Sequence, residues 1–199
     1  MDIATAEQAA LQLTVVVASN REGRFAPVVA DWFLARAREH EGFAIEVLDL
    51  AETDLPTALS HHPSPAVQAQ LAVVSPKLAG ADAFVVITPE YNHSFPAALK
   101  SLIDWHFAPW QAKPVGFVSY GGISGGLRAV EQLRQVFAEL HAVTVRDTVS
   151  FQHVHGLFDE DGRHREPSQA DAAVKKMLDQ VAWWARALRQ AKAVRPYAG

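Results

Sequence analysis

The sequence predicts an α/β fold in which a parallel sheet lies between two layers of helices, and three observations carry that prediction. Apolar runs of strand length alternate with longer stretches of helical spacing, the pattern left by strands joined through crossover helices. Polar or glycine-bearing turns follow the strands, where the chain must reverse. The chain has 199 residues, 49% of them apolar, which is enough for one substantial core and a single domain, with its ordered part expected over residues 11–192.

Leu13-Thr14-Val15-Val16-Val17 reads as a first buried strand. Helical spacing follows over residues 25–40, with Val28, Val29, Trp32, Phe33 and Ala37 on one stripe. A second strand is expected over residues 44–50, where Ile45, Val47 and Leu48 precede Asp49. Pro56, Pro63 and Pro65 make residues 51–65 an excursion without regular structure. A helix over residues 66–79 should be irregular, because Pro76 falls inside it. The third strand covers residues 83–87. Ser94 then offers an N-cap, and Pro96 falls in the first turn of the next helix, where no N–H is needed. Further strands are expected over 115–119 and 143–151, separated by the glycine-rich turn 120–126 and a helix through Leu140. A polar loop over 152–167 leads to a last helix over 169–192. Five strands with helices between them fit a flavodoxin-like sheet of order 2-1-3-4-5, whereas a barrel needs more units.

Composition removes several classes of function. A formal net charge of -4 without a basic stripe argues against nucleic acid, which is held chiefly by phosphate neutralisation. The absence of cysteine excludes disulfides, thiolate metal sites and cysteine nucleophiles. No segment is long and apolar enough to span a bilayer, and the N-terminus lacks a charged-then-apolar leader, so a cytoplasmic protein is expected. His61-His62 and His153-Val154-His155 have no carboxylate or cysteine company at ligand spacing and read as surface loop residues.

The residues that could carry chemistry fall in three turns at the carboxyl ends of strands. After the first strand come Ser19, Asn20, Arg21, Glu22, Gly23, Arg24 and Phe25, at the start of the first helix. Helix-start N–H groups and the helix dipole attract anions, the arginines add fixed cations, and Gly23 lets the backbone wrap closely. This composition suits a terminal phosphate monoester and lacks the G-x-G-x-x-G turn that carries a pyrophosphate. It is equally the composition of a polar loop with solvated arginines. Pro89, Glu90, Tyr91 and Asn92 follow the third strand; Tyr120, Gly121 and Gly122 follow the fourth, where bare backbone can approach a flat ring. Singly, Tyr91 could cap the core, Asn92 could form a turn and Glu90 could be a solvated charge. Jointly, the three turns could touch one ligand at a strand-end site.

The run I-T-P-E-Y-N-H-S-F-P-A-A-L-K-S-L-I-D-W from Ile87 to Trp105, with the Ser19 loop, Lys113-Pro114-Val115 and residues 119–140, closely resembles the signature of the NAD(P)H-dependent FMN reductase family. The resemblance covers most of residues 11–150, and Ala18 replaces the usual glycine of that family's phosphate loop. It implies that Ser19, Asn20, Arg21 and Arg24, with Phe25 beside them, hold the phosphate of FMN. It implies that Pro89, Glu90, Tyr91, Asn92, Tyr120, Gly121 and Gly122 contact the isoalloxazine. NADPH or NADH would then serve as transient reductant, passing a hydride to FMN and on to a flavin, quinone or similar small acceptor by ping-pong exchange. No catalytic side chain is required, since the flavin carries the chemistry. A homodimer or homotetramer is also implied. The stretch from His106 to Gln111 is expected to place Phe107 and Trp110 beside the ring loop, where they could mark an interface or equally pack internally.

Two other readings compete. Gly122-Ile123-Ser124-Gly125-Gly126 matches the G-x-S-x-G nucleophile elbow of serine hydrolases, with Asp147, Asp159, His153, His155 and His164 downstream as triad partners. That reading leaves the arginine loop and the Pro89 to Asn92 turn without a purpose, and the glycines begin early enough to lengthen the turn. A flavodoxin-type electron carrier would share the fold, but such carriers are strongly acidic for docking and this chain is nearly balanced.

Overall fold

The computed structural model describes residues 10–198. Its strands are β1 (Leu11–Val17), β2 (Phe43–Asp49), β3 (Ala83–Pro89), β4 (Pro114–Tyr120), β5 (Val143–Thr144) and β6 (Val149–Phe151). The helices are α1 (Ala26–Glu39), α2 (Pro65–Ala79), α3 (Ala97–Asp104), α4 (Leu127–Glu139) and α5 (Ser168–Val194). All strand pairs are parallel, in the order β2-β1-β3-β4-β5, with β6 also beside β4. This is the flavodoxin-like order expected of the sequence.

Successive side chains of a strand point to opposite faces, and here both faces are covered. Leu13, Val15 and Val17 of β1 join Val85, Ile87 and Val118 in a layer closed by α1 and α5. Val16, Phe84, Val86, Val115 and Phe117 join the opposite layer, closed by α2, α3 and α4. That double burial is why β1, β3 and β4 read as nearly unbroken apolar runs. Gly116 in β4 lets α5 come close: a Cβ there would stand 3.1 Å from the sulfur of Met177 and 3.2 Å from Val181.

Several expectations need correction. The fifth strand does not run unbroken over residues 143–151. Thr144 pairs with Val115 and Val149 with Val118, so five steps along one chain face three along the other. The surplus bulges outward, where the Asp147 carboxylate accepts bonds from Gln180 and Lys176 of α5. A continuous β-branched run cannot reveal such a break, because the partners that take up the bulge lie on a distant helix. Ser94 does not cap α3; Pro96 is the N-cap and the helix begins at Ala97. Ser94 is instead paired with Tyr91 in a tight turn, and its hydroxyl donates to Gln132 of α4 at 2.6 Å. Pro76 lies in the last turn of α2 and does not interrupt it, since only one upstream carbonyl loses its donor there.

Phe107 and Trp110 do not lie beside the ring loop, and of the two expectations for them internal packing holds for Trp110. α3 returns the chain to the amino ends of the strands, and Trp110 packs 4.6 Å from Phe84 and 5.4 Å from Phe137, fully buried. Phe107 stands exposed beside His141 at that same end, away from the turns that follow β3 and β4. No described helix is long and apolar enough to cross a membrane.

Candidate functional site

The sheet brings the ends of β1, β3, β4 and β6 to one edge. Beyond β1, Arg24 N–H donates to the Arg21 carbonyl at 3.2 Å and closes a turn with Gly23 at φ 64°, a value that favours glycine. Among the described residues, the backbone N–H groups of Asn20, Arg21, Glu22 and Gly23 have no hydrogen-bond partner. Arg21 is exposed and has no ion-pair partner among the described residues. Successive free N–H groups beside an unpaired guanidinium make an anion-binding concavity.

Arg24 differs. Its guanidinium grips both oxygens of Asp49, with Nη2 to Oδ2 at 2.6 Å, and also donates to the Ser19 carbonyl at 2.6 Å. The hydrogen-bonded Asp49 carboxylate holds the Arg24 pKa above its ordinary value, against the opposing effect of burial. Arg24 therefore ties the loop to the end of β2, with its hydrogen-bonding edge turned to protein.

Beyond β3, Tyr91 and Ser94 exchange backbone hydrogen bonds at 2.8 and 3.1 Å across Asn92 (φ 49°) and His93 (φ 74°). Two consecutive positive φ values are the signature of a type I′ turn, which favours Asn at its first central position. Gln132 clasps this turn, accepting from the Ser94 hydroxyl and donating to the His93 carbonyl at 2.8 Å. The turn in turn aims the Tyr91 ring back at β1, where its hydroxyl lies 2.6 Å from the hydroxyl of buried Ser19. The phosphate-like loop and the Pro89 to Asn92 turn are thus joined directly.

Glu90 accepts from the Ser124 hydroxyl at 2.5 Å, and from the backbone and side chain of Arg128 at 3.2 Å each. Burial pushes its pKa up, but the Ser124 and Arg128 donors outweigh this and hold the carboxyl below the usual range. This arrangement counts against the nucleophile elbow. Ser124 donates its hydroxyl hydrogen bond to a carboxylate, and no histidine bonds to it. Gly125 and Gly126 have φ of 61° and 85°, and a Cβ on Gly126 would meet Ser119 Cβ at 2.7 Å, so backbone packing explains both glycines.

These pieces border an open cleft of about 710 Å³. Ser19, Arg21, Arg24, Phe25, Pro89, Glu90, Tyr91, Tyr120, Gly121 and Gly122 all line it, as do Gly23 and His153 to Gly156. Asn20 and Asn92 do not; both are exposed, and Asn92 serves the backbone of its turn. A Cβ added to Gly122 would find no protein atom within 4 Å, so the space beside that residue is left open. Tyr120 is buried at the inner wall, and its hydroxyl has no hydrogen-bond partner among the described residues. Burial first, then the neighbouring Tyr91, raises its pKa, which keeps it a neutral donor. The 153–156 loop went unrecognised as part of the site because its histidines carry no motif; its position after the last strand was the available signal.

The donor set suits a ligand with an anionic tail at the Arg21 loop and a flat head against Gly121 and Gly122. FMN has that form, and the free N–H groups, the unpaired Arg21 and the open space at Gly122 fit it. Comparison with known proteins agrees. The chain is 35% identical over 132 residues to an NAD(P)H-dependent FMN reductase of Schizosaccharomyces pombe, covering 63% of this chain and 64% of that one. It is 35% identical over 111 residues to an NADPH:quinone oxidoreductase of Arabidopsis thaliana, covering 53% and 54%. The aligned stretches thus span between half and two thirds of those relatives' own length. In fold it is similar to a flavoenzyme NAD(P)H:(acceptor) oxidoreductase from Paracoccus denitrificans, with a TM-score of 0.67 at 20% identity over 88% of this chain and 97% of that one. The family of the NADPH-dependent FMN reductases matches over residues 11–156, the whole sheet and all four turns of the cleft, and the chain belongs to that family.

Proposed function

We propose that this protein is an FMN-dependent oxidoreductase that takes a hydride from NADPH or NADH and delivers it to a small acceptor, a flavin or a quinone, in alternate use of one cleft. The observation that carries this reading is the meeting of three turns on a cleft with anion donors at one end and bare glycine backbone at the other. FMN, when bound, supplies the two-electron chemistry that no side chain of the cleft offers.

The chain's own residues bind and position. Arg21 and the N–H groups of residues 20–23 would hold the terminal phosphate, while Ser19 and Phe25 shape the same end. Arg24 would act through the loop it anchors to Asp49. Gly121 and Gly122 would let the ring lie against backbone, flanked by Pro89, Glu90, Tyr91 and Tyr120. Glu90, fixed by Ser124 and Arg128, keeps the turns after β3 and β4 in register with each other. An open cleft that must admit donor and acceptor in turn favours broad acceptor specificity, and a quinone is one acceptor class that a relative's name supports.

One domain, a homodimer or homotetramer, and a cytoplasmic location complete the proposal. Ile123 and Leu127 beside the cleft, and Trp183 and Trp184 on α5, are exposed apolar side chains that support association. The test is titration of folded, purified protein with FMN, followed in the visible spectrum, and steady NADPH oxidation with a quinone by the protein alone. Arg21→Ala should weaken FMN by about 10- to 100-fold, the worth of a charge-assisted hydrogen bond. Well-folded protein that takes up no FMN would reject the proposal.

A further inference from the structure

The loop after β6 forms a fourth wall of the cleft. At one end, His153 N–H donates to the Gly122 carbonyl at 2.9 Å and Val154 N–H to the Gly121 carbonyl at 3.2 Å. His153 adopts φ 48° and ψ 47°, a left-handed conformation that turns the chain sharply out of the strand. Buried Val154 pins the loop to the core beneath. At the other end, the His155 ring lies edge-on to Phe25 with centroids 4.8 Å apart, and Phe25 is the residue between Arg24 and α1. The wall therefore runs the length of the cleft, from the glycine turn to the arginine loop.

His155 lines the cleft, is exposed, and has no hydrogen bond to its side chain among the described residues. Meanwhile the arginine loop is short of free side-chain donors. A phosphate monoester carries close to two negative charges at neutral pH. Arg24 is committed to Asp49, which leaves Arg21 as the one unpaired arginine of the cleft among the described residues. We propose that His155 is a phosphate-reading residue, its imidazole donating to the terminal phosphate of FMN beside Arg21, in the position that the sequence assigns to Arg24. The inference rests on the FMN reading above, and deepens it by adding a fourth segment to the cofactor site. The edge contact with Phe25 holds the imidazole in place without using either ring nitrogen.

The experiment compares FMN with riboflavin, which lacks the phosphate, by quenching of flavin fluorescence on the full chain. Native protein, His155→Phe and His155→Gln are measured. Phenylalanine keeps the packing on Phe25 and removes the donor; glutamine restores a donor. His155→Phe should weaken FMN about tenfold and leave riboflavin within about twofold, and His155→Gln should fall between it and the native protein. Unchanged FMN affinity in His155→Phe, with the native preference for FMN intact, overturns the role of His155 alone. Equal losses for FMN and riboflavin overturn it too, because the residue would then only support the wall. Native protein that binds neither flavin overturns the FMN reading and this inference together.

Discussion

Arg21 and Arg24 stand three positions apart in one loop, and the same charge does different work at each. Arg24 holds Asp49 and the Ser19 carbonyl, with both partners of the ion pair largely shielded from solvent. Arg24→Ala should therefore lower stability by about 1–2 kcal/mol, read from urea unfolding, between the values of exposed and buried pairs. Arg21→Ala should leave unfolding unchanged, because Arg21 supports no other side chain, and should act on FMN affinity alone. Gly122→Ala offers a second separation: the added Cβ meets no atom beyond its chain neighbours within 4 Å, so the fold should tolerate it while a ring packed against that backbone is displaced. Loss of FMN uptake at unchanged thermal midpoint is the expected result. At this scale the residue types were legible in the sequence and their partners were not. Nothing local to residues 19–25 announces that Asp49 will close on Arg24, and Asn92 reads as a ligand contact until the φ values of its turn are known.

Elements respond to what buries them. His106, just beyond α3, donates from Nδ1 to the Leu102 carbonyl at 2.8 Å and lies 3.0 Å through Nε2 from the Ser75 hydroxyl of α2. Burial lowers its pKa, only partly opposed by the carbonyl of Leu102. A lowered folded value means that the unfolded chain takes up the proton first. The stabilising contribution is complete above the ordinary value of 6.5 and is lost as pH falls from there through the folded value. The thermal midpoint of the native protein should drop between neutral and mildly acid pH, and His106→Gln should flatten that part of the profile. At the head of α4, Gly126→Ala places a Cβ 2.7 Å from Ser119 Cβ at a φ of 85°, and should cost about 1–3 kcal/mol. Helices and central strands were readable because burial on one stripe or on two faces leaves a period in the sequence. The break between β5 and β6 and the start of α3 were not, since both depend on side chains of α5 and α4 that arrive from afar.

For the whole molecule, β4 is the shared support of the cleft between the two apolar layers: it pairs with β3, β5 and β6 and ends in Tyr120. Phe117→Ala, deep in the layer under α4, should cost about 3–5 kcal/mol of unfolding free energy. Ser124→Ala should produce no change in any esterase background, because its hydroxyl serves Glu90. Apolar runs alternating with helical stretches determined a parallel sheet, since strands joined through crossover helices pair in parallel. The three turns at the strand ends, and the family they resemble, were likewise written in the sequence, because turn chemistry is local. Tertiary structure alone decided which donors remain available. Hydrogen bonds and ion pairs between distant segments committed Arg24 to Asp49 and Ser124 to Glu90, and left Arg21 open. They also carried the 153–156 loop to the cleft, because a backbone carbonyl that needs a donor takes one from whichever segment the fold delivers.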